Sequence, residues 1–189
     1  HNEAFRQYAL LNIRTRLKKI IPDPDAWKLK SREITESENH FHFAPVRAAL
    51  DRGEKVIAIN LPGCRSILSH FTQPGLIFAD EISDRLKVIA CIEKPNMIHS
   101  EEIGERNYNS LFPEVAIWLS ASGDDAQIIL WGPEEDIPTA LETVDERIRL
   151  ALEGVPPETR KSFADGTTMF ERVLPGRDRM YPDTDSQPL

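Results

Sequence analysis

Two short apolar runs constrain this 189-residue chain more than anything else in it. EKVIAIN, closing at Asn60, and AQIILW, closing at Trp131, are rich in β-branched and large apolar side chains and read as strands. Turn residues cut off both, LPG at Leu61 to Gly63 in one case and Gly132 with Pro133 in the other. Neither run approaches the length needed to cross a bilayer. Everything between and around them is amphipathic.

The segment EAFRQYALLNIRTRLKKII sets Phe5, Leu10, Ile13, Leu17 and Ile20 at helical steps, one apolar stripe, and PDPD ends it. Arg14, Arg16, Lys18 and Lys19 crowd its last turns, where an RNA-facing edge and a simple complement to the helix dipole both fit. DAWKLKSREIT alternates weakly as a strand through Trp27 and Leu29. APVRAALDRG reads as a short helix with Pro45 in its first turn and Gly53 as its stop. Further helices are expected at DEISDRLKVIA and PEVAIWLSA, with a short strand at NMIHS and a turn at SGDDA. The strongest helical pattern is Ile137, Leu141, Val144, Ile148 and Ala151, with Asp136 as expected N-cap, an Asp145/Arg149 pair on its outer face and Gly154 as its stop. After it, Asp165 and Gly166 make a turn into TTMFERVL, an edge or hairpin strand.

Short strands interleaved irregularly with amphipathic helices, without internal repeats, predict an α+β fold. The expected form is a two-layer sandwich of a mainly antiparallel sheet with helices on one face. An N-terminal helix and an extended C-terminal connector flank it. Apolar residues make up 40% of the chain, enough for a real core, and the formal net charge of -8 argues against strong autonomous binding to a phosphate backbone. The opening HNEAF lacks an initiator Met and reads as an excised piece. Cys64 and Cys91, with no CxxC spacing, are expected to be buried, reduced cytosolic thiols.

Taken site by site, these residues show no active centre. No GxxxxGK[ST] or GxGxxG loop and no GxSxG elbow is present. His40 and His42 would share one face of an extended segment and so suit a cation, but four well-spaced ligands are not evident, and a polar turn fits as well. His99 beside Glu101 and Glu102 suits a general base, or else Ser100, Glu101 and Glu102 open a helix as cap and first-turn acids. Cys64 at a strand end reads as packed. Asp124/Asp125 and Glu134/Glu135 read as solvated turn charges.

The C-terminal third, LEGVPPETRKSFADGTTMFERVLPGRDRMYPDTDSQPL, resembles a segment of the E subunit of archaeal-type glutamyl-tRNA(Gln) amidotransferase, through Glu153 to Pro156, Glu158 to Arg160, Asp165 to Thr168, Leu174 to Gly176 and Arg179 to Asp185. Upstream, VIAINLPGC, IFADEISDRLKVIA and MIHSEEI are similar to segments of the insertion domain which that family shares with bacterial aspartyl-tRNA synthetase, the GAD domain. RQYALLNIRTRL is similar to the helix leaving the family's catalytic cradle. The resemblance implies three parts: a linking helix over 1–25, a GAD-like insertion domain over 26–174, and a connector over 175–189 back to the cradle. It implies an accessory domain without catalytic residues, cofactor or metal of its own, in a cytoplasmic enzyme whose cradle uses ATP and Mg to activate glutamate on tRNA(Gln) and takes ammonia from an amidase partner. Arg160, Lys161, Arg172, Arg177 and Arg179 are the candidate contacts to tRNA or cradle. One departure stands out: where the family carries an arginine-bearing PGRRFG turn, this chain has Pro74, Gly75, Leu76, Ile77, Phe78 and Ala79. A structural or protein-interaction domain without RNA contact is the alternative.

Overall fold

A computed structural model describes residues 2–39, 41–103 and 110–174. The two apolar runs become β2 (Lys55–Leu61) and β6 (Ala126–Gly132), which pair antiparallel along their whole length at the centre of a four-stranded sheet. β1 (Lys30–Glu33) adds to the outer edge of β2, and β5 (Met97–His99) to that of β6, both antiparallel. Because side chains alternate along a strand, the central register sorts them onto two faces. Ile57, Ile59 and Leu61 stand with Leu130, Ile128 and Ala126 on one face, and Val56 and Ala58 with Trp131 and Ile129 on the other.

Three helices cover the first face: α1 (Asn2–Ile20), α3 (Phe78–Ile89) and α5 (Ile137–Glu153). Leu10, Ile13 and Leu17 from α1, Phe78, Ile82 and Leu86 from α3, and Val144, Ile148 and Ala151 from α5 join the strand residues in the larger core. Each fully buried aliphatic or aromatic side chain there contributes about 1.5–3 kcal/mol. The expected α+β class and mainly antiparallel sheet are observed. The second face is covered as well, by the shorter α2 (Ala44–Asp51) and α4 (Phe112–Trp118), whose Val46, Ala49 and Val115 close a smaller core with Phe41, Phe43 and Phe112. Val56, Ala58, Ile129 and Trp131 leave that face too apolar to stay in water.

Two hairpins complete the described chain. β3 (Phe71–Gln73) and β4 (Leu76–Ile77) turn through Gly75 in place of the arginine-bearing turn of the resembling family. β7 (Glu158–Ser162) and β8 (Thr168–Val173) turn at Asp165 and Gly166, where the Asp165 carboxylate accepts from the Thr167 backbone N–H at 2.9 Å. The Gln73 amide donates to the Thr168 carbonyl at 2.8 Å and accepts its N–H at 2.7 Å, tying the two hairpins together.

Local readings shift in four places. The stripe on α1 runs through Arg6, Leu10, Ile13 and Leu17, all buried, while Phe5 and Ile20 face outward; the four-three-four spacing is satisfied by Arg6 and not by its neighbour. Trp27 precedes β1 and is held by its indole N–H, which donates to the Pro62 carbonyl at 2.8 Å. Asp136 makes no side-chain cap, because a single tight turn at Glu134–Asp136 has already brought its backbone into the helical region. Among the described residues no helix opens at Ser100. Its hydroxyl accepts the Gln127 N–H instead, and the Glu101 carboxylate accepts the backbone N–H groups of Ser66 and Ser69.

Candidate functional site

The sequence-derived contacts divide once placed. Arg160 is turned inward on β7: it pairs with Glu158 and donates to Thr168 at both its hydroxyl, 2.7 Å, and its carbonyl, 3.0 Å. Lys161 is exposed beside Phe163, its ammonium 5.9 Å above the ring, and Arg172 is exposed on β8. Arg177 and Arg179 lie outside the described residues, as does His40, so the expected pairing of His40 with His42 is not placed. Among the described residues no three His, Cys, Asp and Glu side chains gather where they would hold a metal ion.

His99 is buried with both ring nitrogens engaged. Its Nδ1 accepts the Glu101 backbone N–H at 3.1 Å, which leaves the proton on Nε2, 2.8 Å from the Glu102 carboxylate. Neither nitrogen is left to take a proton from a substrate. Cys64 is packed as expected, and burial pushes its thiol far up; Cys91, expected to be buried, is exposed just beyond α3, with a left-handed φ of 60°. Asp125 is not a solvated turn charge. It accepts from Asn60 Nδ2 at 2.9 Å, Gly63 N at 3.0 Å and Ser122 N at 2.9 Å, so that although desolvation raises its pKa, these donors bring it below the usual aspartate range.

The densest chemistry is a network that sequence reading missed. Arg6 of α1 grips Glu81 of α3 with two parallel bonds of 3.0 Å and reaches Glu158 of β7 at 3.1 Å. Arg147 of α5 donates to Glu81 at 3.0 Å, and Arg85 of α3 pairs with Glu158. Apart from Arg160, at the edge, these side chains are almost wholly inaccessible to solvent. Desolvation pushes the Glu81 carboxyl up, but the Arg147 and Arg6 guanidiniums outweigh it and hold the group down to about 2. Arg85 stacks 4.2 Å from the centre of the Phe170 ring, and Arg147 4.6 Å from that of Phe78. One sequence signal marks these residues: Arg6, Glu81, Arg85 and Arg147 each sit three or four positions from a core aliphatic or aromatic residue, on the stripe and not opposite it.

On the outer side of α1 an open groove runs between that helix and β3. Phe5, Tyr8, Asn12, Arg16 and Lys19 form one wall, and Ser66, Ser69, His70 and Phe71 the other. Three aromatic rings lie open along it, Phe5 at 48%, Tyr8 at 68% and Phe71 at 50% exposure. None of the residues lining it is acidic, in a chain where acidic residues outnumber basic ones by 31 to 23.

These features define an α+β domain clamped by a buried ion network, with exposed aromatic and basic side chains along an open groove. No family model matches the chain. It is, however, similar over 99% of its length to the E subunit of glutamyl-tRNA(Gln) amidotransferase: 34% identical over 192 residues to that of Pyrococcus abyssi, 35% over 188 to that of Caldivirga maquilingensis, and 36% over 188 to that of Pyrobaculum arsenaticum. The chain is therefore related to this amidotransferase family along a segment, and it spans about three-tenths of the length of these relatives (29%, 29% and 30%). Among the described residues no helix is long and apolar enough to cross a membrane.

Proposed function

We propose that this chain is an accessory domain of a tRNA-dependent amidotransferase, helping to place tRNA(Gln) while chemistry proceeds in a catalytic cradle formed by other residues. In this reading α1, within 1–25, links the cradle to a GAD-like insertion domain over 26–174, and 175–189 leads back. The cradle would bind ATP and Mg, an amidase partner would supply ammonia, and the assembly would work in the cytoplasm.

The observation that carries the RNA contact is the groove between α1 and β3. Exposed aromatic rings interleaved with Arg16, Lys19 and His70 suit a polyanion with unstacked bases, because rings stack on any base and cations meet the backbone. Lys161 and Arg172 remain candidate contacts on the β7–β8 hairpin, and Arg177 and Arg179, outside the described residues, remain candidates from the sequence. A second reading, a brace for the cradle that never touches RNA, is favoured by the net charge of -8 and by the inward ion pairing of Arg160.

Titrating labelled tRNA(Gln) with the protein at low salt tests the choice. Binding should be saturable, should fall linearly in log K against log salt, and should weaken in both Tyr8→Ala and Arg16→Glu. Absence of salt-dependent binding would refute the RNA role of this domain.

A further inference from the structure

The charges of the buried network do not balance. Among the described residues four guanidiniums, those of Arg6, Arg85, Arg147 and Arg160, meet two buried carboxylates, Glu81 and Glu158. Glu3 adds one more from the half-exposed rim, at 3.3 Å from Arg6 only. The surplus is concentrated at the seam of α3 and α5. Nε and Nη2 of Arg85, and Nε and Nη1 of Arg147, are buried donors without a hydrogen-bond partner among the described residues. The Phe170 and Phe78 rings cover guanidinium faces, but a ring face gives the in-plane N–H groups no acceptor. Burial, and then the neighbouring Arg85, lower the Arg147 pKa against the pull of Glu81, as expected where like charges share a dry seam. Water can satisfy an orphan donor but leaves the surplus charge uncompensated.

We propose that the α3–α5 seam binds a small monovalent anion of chloride size, taken by the free edges of Arg85 and Arg147. A groove open to solvent lies alongside. The Phe170 ring that covers Arg85 also lines a groove of about 360 Å³ between α3, α5 and β8, and so does Thr143, one turn before Arg147. The same groove carries Glu142 and Glu171, whose charge repels a phosphate-like dianion more strongly than a compact anion of single charge.

The test compares thermal unfolding in sodium chloride with unfolding in sodium gluconate at constant ionic strength. Above saturation the midpoint should rise by roughly 3–6 °C for each tenfold increase in chloride. Arg85→Met, which keeps an apolar contact to Phe170, should flatten that dependence whatever it does to the baseline. Crystals soaked in bromide should show an anomalous peak within hydrogen-bond distance of Arg85 and Arg147. Equal midpoints in chloride and gluconate, a chloride slope that survives in Arg85→Met, or bromide-soaked crystals without that peak would overturn the assignment.

Discussion

Replacing Glu81 by glutamine keeps the shape of the side chain and removes the charge that two buried arginines share. Glu81 accepts two bonds from Arg6 and one from Arg147, all at 3.0 Å, in a site closed to solvent. A folded-state value of about 2, against the ordinary 4.5, corresponds to about 3 kcal/mol of stability. That contribution is fully present above pH 4.5 and is lost as the pH falls through 2. Glu81→Gln should therefore cost about 3–5 kcal/mol at pH 7, since it leaves Arg6 and Arg147 buried with too little compensation. Denaturant unfolding at a series of pH values measures both effects. Between pH 4.5 and 2 the native protein should lose stability faster than the variant by up to about 1.4 kcal/mol per pH unit, the slope of one proton. A variant within about 1 kcal/mol of the parent at pH 7, or parallel pH profiles, would show that the network does not hold this carboxylate ionised.

Three further outcomes are expected. Gly63→Ala should destabilise by at least about 2 kcal/mol in thermal melts, because φ is +72° and a Cβ would sit 2.9 Å from Ile21 Cγ1. Ile148→Ala, in the core of α5, should cost about 2–5 kcal/mol, whereas Ile117→Ala, at a position 79% exposed, should change stability by no more than about 0.5 kcal/mol. A thiol reagent added to the native protein should label Cys91 at once and Cys64 only on unfolding; two fast-reacting thiols would contradict the packing of Cys64.

The helices and strands were largely legible because each buries one face, and burial writes its period into the sequence. Val144, Ile148 and Ala151 at helical steps could only be a core stripe. Gly53, Gly154 and the Asp165 turn marked ends because their backbone geometry is restrictive. The resemblance to the amidotransferase family was legible in the C-terminal third for a different reason, the unusual residue types around Glu153 to Thr168.

The network was not legible as a network, since a position on a core stripe hints at burial but names no partner, and an arginine among aliphatics reads as a surface charge until its partner is known. Arg6 and Glu81 are 75 residues apart in sequence, and Arg6 and Glu158 are 152 apart. Arg160 illustrates the same limit from the other side: its neighbours in sequence marked it as a free cation, and a strand reversal placed Glu158 and Thr168 around it. The sequence by itself determined most of the helices, the two central strands and the family they resemble, because those follow from local period and residue type, whereas β3, β4 and β7 were not read from it. Only the tertiary structure decided which charges are buried together, how the second face of the sheet is covered, and that Phe5, Tyr8 and Phe71 line one groove, because each depends on contacts between residues far apart in the chain.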